Sequence, residues 1–89
     1  MIITYKPVDT ARIEAMLFTE EAAYDAKDWV DSSRPAELAD FGGSDKAWWR
    51  VETLEGWVDM PYGSYLIRGT SGEFYPCDPD IFEKRWVEA

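Results

Sequence analysis

Apolar and polar residues alternate over residues 11 to 18, Ala-Arg-Ile-Glu-Ala-Met-Leu-Phe. Ala11, Ile13, Ala15 and Leu17 fall on one side, Arg12, Glu14 and Met16 on the other. This period of two predicts a strand with one buried face. The period then lengthens. Between residues 20 and 32, Ala22, Ala23, Ala26, Trp29 and Val30 share one arc at about 100° per residue, and Glu20, Glu21, Asp25, Asp28 and Asp31 occupy the opposite arc. The pattern predicts an amphipathic helix. Thr19 suits its N-cap, and acids in its first turn suit the positive end of the helix dipole. Ser32, Ser33 and Pro35 end it. Residues 35 to 41 predict one further helical turn, closed by Gly42-Gly43.

The second half reads as β-structure. Trp49, Val51 and Thr53 alternate with Trp48, Arg50 and Glu52 over residues 46 to 54, and Glu55-Gly56 predicts a tight turn into a hairpin arm from Trp57 to Met60. Residues 64 to 68 form a short, nearly apolar strand. Gly69-Thr70-Ser71-Gly72 turns it back into Glu73-Phe74-Tyr75. Asp78 suits the cap of a short helical turn with Pro79 at its first position, and residues 83 to 88 suit an edge strand. The order predicts a small α+β domain: a twisted, mainly antiparallel sheet with one amphipathic helix packed on a face. Ile13, Leu17, Trp29, Val51 and Ile67 are the expected shared core. The 89 residues fit one domain, 1–89.

Composition narrows the chemistry. No histidine is present, which removes every Ser-His, Cys-His and His-metal arrangement. The lone Cys77 has no partner for an internal disulfide and reads as a small buried apolar residue. Neither an enzyme nor a cofactor or metal site is expected. The first residues lack the basic flank and apolar run of a signal peptide, so a cytosolic location is expected. The net charge of −9 disfavours direct contact with nucleic acid or an anionic membrane and favours a basic protein partner or plain solubility. Residues 19 to 45 hold most of the excess, with eight acids against Lys27 and Arg34.

The chain resembles a family of small bacteriophage and prophage proteins. The likeness lies in Gly72-Glu73-Phe74-Tyr75-Pro76-Cys77 and Pro79-Asp80-Ile81-Phe82-Glu83, in the strand Tyr65-Leu66-Ile67-Arg68-Gly69 before them, and in Tyr5-Lys6-Pro7-Val8 and Ile13-Glu14-Ala15 at the start. These blocks fall within the first 15 and the last 30 residues; the acidic middle matches nothing general. More narrowly, the chain looks similar to type I-C anti-CRISPR proteins. That resemblance implies an inhibitor that binds the crRNA-guided surveillance complex and blocks target DNA; a monomer in the cytoplasm of an infected bacterium is expected. The alternative is a phage accessory or structural protein without inhibitory activity.

Glu20, Glu21, Asp25, Asp28 and Asp31 on the helix, with Glu37, Asp40 and Asp45 after it, are the candidate partner-binding residues. Glu21, Asp25 and Asp28 stand about 5–6 Å apart along one side of a helix, a row that can enter a groove built for phosphates. The plain alternative is the solvated face of an ordinary helix. Trp48 and Trp57 fall on the strand face away from the predicted core, beside Glu52, Glu55 and Asp59, where they would anchor an interface; the alternative is that the helix covers them. The Gly69–Gly72 segment lacks the lysine of a phosphate loop and reads as a turn. Asp78 and Asp80 read as capping residues rather than a catalytic pair.

Overall fold

The computed structural model describes residues 2–7, 12–33 and 36–88. Its strands form two antiparallel sheets. The larger is built from β1 (Ile3–Pro7), β2 (Ile13–Leu17), β6 (Tyr65–Arg68), β7 (Phe74–Cys77) and β8 (Trp86–Glu88), in the order β7-β6-β2-β1-β8. The smaller is β3 (Leu38–Asp40), β4 (Trp49–Thr53) and β5 (Gly56–Asp59), in sequence order. Two helices complete the fold, α1 (Ala23–Ser32) and α2 (Pro79–Arg85). The fold is α+β with mainly antiparallel pairing, and a helix packs on it, as the sequence predicts.

The larger sheet is covered on both faces, and this explains why β2 departs from simple alternation. Ile13 and Ala15 join Ile67 and Phe82 in one core, under α2. Met16, with Phe18 just beyond the strand, joins Leu66 and Phe74 in a second core, beneath α1 and the smaller sheet. Met16 is therefore buried, and Leu17, at the strand's end, is 43% exposed. The expected shared core is split: Ile13 and Ile67 lie in one cluster, Val51 in the other, and Trp29 is half-buried with its ring 5.1 Å from Phe74. Ala11 lies outside the described residues.

α1 adopts the predicted orientation. Ala23, Ala26 and Val30 are buried and Ala22 packs beside them. The helix begins later than expected. Thr19 Oγ1 accepts the Ala22 N–H at 3.2 Å, so Thr19 closes a turn that leads into the helix rather than capping it. The turn expected over residues 35–41 is replaced by β3, whose Leu38 and Ala39 pair with Val51 and Arg50; Pro35 lies outside the described residues. Strand pairing wins here because it buries Leu38 completely against β4.

The β4–β5 hairpin matches its reading, with Gly56 at φ 104°, a conformation open to glycine. The C-terminal helical turn is longer than expected. Asp78 Oδ1 accepts the Asp80 N–H at 2.9 Å, Pro79 occupies the first turn, and α2 runs seven residues before β8 pairs with β1. Cys77 is half-buried rather than buried. Burial pushes its thiol up, against Arg85 and with Asp78, so it remains protonated at neutral pH.

Candidate partner-binding surface

Each of the eight candidate carboxylates has a definite place. Glu20 and Glu21 sit on the turn before α1, and Asp25 and Asp28 on its outer side; all four are exposed. Among the described residues none of the four forms an ion pair. Asp31 differs. It bonds Lys27 Nζ at 2.8 Å, and its other oxygen accepts the Leu38 N–H at 3.2 Å. Lys27 Nζ also donates to the Leu38 carbonyl at 2.9 Å. Asp31 and Lys27 together tie α1 to the edge strand β3, so Asp31 serves the fold and leaves the acidic row.

Asp40 is also committed. Its Oδ1 accepts the Trp48 N–H at 2.7 Å and the Gly42 N–H at 2.8 Å, which closes the loop between β3 and β4. These two backbone donors, that of Trp48 foremost, hold the Asp40 carboxyl below its ordinary 3.8. A depressed carboxyl lends stability in full above its unfolded value and loses it as pH falls through the folded value. Acidification below 3.8 is therefore expected to loosen the 41–48 loop. Side-chain NMR titration of Asp40 alongside the Trp48 amide signal checks this; a carboxyl titrating above 3.8 contradicts it.

Gly42 makes that loop possible. A Cβ there would run into the Lys46 carbonyl and stand 2.7 Å from the Trp48 nitrogen, both backbone atoms that cannot swing aside. Gly42→Ala is expected to cost about 1–3 kcal/mol. Gly69→Ala is the contrast, since its Cβ meets only the movable Glu73 side chain; about 0.5 kcal/mol or less is expected. Parallel urea melts check the pair.

Glu37 and Asp45 are exposed and complete the set. Glu37 belongs to a second surface that strand alternation creates. The side of the smaller sheet turned away from the core carries Glu37, Ala39 and Phe41 on or beside β3, Trp48, Arg50 and Glu52 along β4, and Trp57 and Asp59 on β5. Trp48 is 49% exposed, whereas Trp49 beside it is 6% exposed. The helix packs on the inner side, where Tyr24 meets Trp49 at 5.7 Å, so α1 does not cover the outer tryptophans.

The outer face is a connected cluster. Phe41 lies edge-on to Trp57 at 5.2 Å and to Trp48 at 6.4 Å. The Arg50 guanidinium stands 5.2 Å from the Trp48 ring centroid and 5.7 Å from that of Phe41, a cation–π arrangement on two rings. Asp59 Oδ1 accepts the Trp48 indole N–H at 2.8 Å and faces Arg50 Nε at 3.6 Å. Phe41 escaped the sequence reading; Arg50 was placed on this face with Trp48 and Glu52, but its contacts with the two rings and Asp59 were not foreseen.

The described residues contain no group of three or more Cys, Asp or Glu side chains placed to hold a metal ion. A hollow of about 230 Å³ lies between the β4–β5 hairpin and the Gly69–Gly72 turn. Ser33, Thr53 and Ser71 line it with Glu52 and Glu73, and the chain has no histidine to activate those hydroxyls. Comparison with models of known protein families, with curated proteins and with solved structures finds no match.

Proposed function

We propose that the protein is an inhibitor that binds a basic groove of a crRNA-guided CRISPR surveillance complex in an infected bacterium and keeps target DNA out. The observation that supports this most is the set of unpaired, exposed carboxylates formed by Glu20 and Glu21 on the turn before α1 and by Asp25 and Asp28 on the helix, whose opposite arc is fixed in the core. Double-stranded DNA carries a negative charge about every 1.7 Å of axis, and grooves that bind it present Lys and Arg. Asp25 and Asp28, about 5–6 Å apart on the helix, with Glu20 and Glu21 just ahead of them, can meet the same cations. The resemblance of the chain's ends to phage proteins, and to type I-C anti-CRISPR proteins, supports the same reading.

The test is target-DNA binding by a purified type I-C surveillance complex in the presence of the protein. Competition with DNA is expected, weakening as salt rises because exposed charges are screened beyond about 8–10 Å. Asp25→Lys/Asp28→Lys is expected to fold normally and to lose most inhibition. Asp31→Lys is the contrasting variant: it breaks the α1–β3 tie and lowers the melting temperature. Full inhibition by the folded double variant overturns the helix-row mechanism. Failure of the wild-type protein to bind the complex overturns the inhibitor reading and leaves that of a phage accessory protein.

A further inference from the structure

The outer face of the smaller sheet sets three carboxylates, Glu37, Glu52 and Asp59, against one cation, Arg50. Arg50 lies against the Trp48 and Phe41 rings with Asp59 as its counter-ion, and its guanidinium donates to the Trp57 carbonyl at 3.1 Å. In the row next to Arg50 and Asp59, where the Trp57 ring meets Phe41 at 5.2 Å, Glu52 stands opposite Trp57 across β4–β5. On its other side Glu37 is its neighbour, since the Glu52 N–H donates to the Glu37 carbonyl at 2.8 Å. Two carboxylates and an indole thus share one line of the sheet, and neither carboxylate has an ion pair among the described residues. Like charges directly opposite one another destabilise a sheet. A cation brought from outside would relieve that repulsion and find a ring to stack on.

We infer that this face is a docking surface for an arginine-bearing protein segment, whose guanidinium lies on Trp57 between Glu37 and Glu52 as Arg50 lies on Trp48 beside Asp59. The inference rests on the basic-partner reading given above and names its anchor. Charge complementarity selects the occupant. The exposed rings Phe41 and Trp48 and the half-buried Trp57 are rimmed by Glu37, Glu52 and Asp59, so phosphates are repelled. Arginine fits better than lysine because its planar group can stack on the indole and bond a carboxylate with two N–H groups together. Tryptophan and arginine are also the side chains that dominate binding energy at protein interfaces.

A short oligo-arginine peptide is the probe, titrated into the isotope-labelled protein and read by NMR. The Trp57 indole signal and the Glu37 and Glu52 amides are expected to move, with oligo-lysine binding several-fold more weakly. Glu37→Gln/Glu52→Gln is expected to weaken the peptide about tenfold while the melting temperature holds or rises, because like-charge repulsion is removed. Shifts confined to residues 20–28, or unchanged in the double variant, overturn the inference. So do shifts that grow with protein concentration alone, which would assign the face to a second copy of the chain. The same variant, applied to the surveillance complex, is expected to weaken inhibition about tenfold with Asp25 and Asp28 intact. If the wild-type protein leaves that complex untouched, the inhibitor reading falls, and the peptide titration still decides whether this face takes arginine.

Discussion

Replacing Phe82 with alanine is expected to remove about 3–5 kcal/mol of folding stability, a large part of the 5–15 kcal/mol that holds a domain of this kind together. Phe82 is the residue through which α2 reaches the larger sheet. It is 1% exposed, stacks on Tyr65 at 3.8 Å with an angle of 11°, and meets Tyr5 edge-on at 4.7 Å. Trp86 flanks it at 6.5 Å. The other buried members of that core are small or aliphatic, Ile13, Ala15 and Ile67, and cannot expand into the space left. A seven-residue helix has little stability of its own, so its attachment and that of the β8 strand that follows should weaken together. Urea denaturation followed by far-ultraviolet circular dichroism measures the loss. A change below about 1 kcal/mol would contradict this role.

Trp49→Ala and Trp48→Ala should differ sharply although the residues are neighbours. Trp49 is buried beneath Phe18 at 5.8 Å and Tyr24 at 5.7 Å, and its indole N–H donates to the Tyr62 hydroxyl at 3.0 Å. Its removal opens a hole where the smaller sheet, α1 and the strand β2 meet, at an expected cost of about 3–5 kcal/mol. Trp48 loses only surface contacts to Phe41 and Arg50 and a bond to Asp59. About 1 kcal/mol or less is expected there, with the loss appearing in partner binding instead. Melts and binding measurements on the two variants separate the effects; equal destabilisation would mean that the outer cluster is structural.

The contrast between these tryptophans was legible in the sequence because β4 has one covered face and one open face, the case in which alternation reports burial directly. β2 lacks that asymmetry. With cores on both sides of its sheet, Met16 is as buried as Ala15, and a period-two reading assigns it to the wrong class. β3 has three residues, too few for any period, and exists because β4 offers Leu38 a partner. The outward placing of Asp25 and Asp28 on α1 was readable from spacing alone. Glu20 and Glu21, expected on the same arc, fall instead on the preceding turn because the helix starts at Ala23. The separate duty of Asp31 was not readable, since it depends on an N–H seven residues away that only the folded chain brings near. Asp40 is similar: its second bond crosses a loop to Trp48. Asp78 was read correctly because its capping bond is local.

Leu17 and Tyr65 sit side by side across the β2–β6 pair, while α1 and the whole smaller sheet lie in the chain between them. β1, β2, β6, β7 and α2 belong to a frame built from the two ends of the chain. The middle, which carries the acidic row and the aromatic face, behaves as an excursion from it. The entropy of closing such an excursion grows only logarithmically, about 0.6 kcal/mol for each doubling of its length. Exchange of this segment for one of another size is therefore thermodynamically cheap, provided the newcomer covers Met16, Leu66 and Phe74 with apolar surface. The architecture thus suits exchange of its outward surface on a fixed frame: the sheet ends stay joined while the segment between them is replaced.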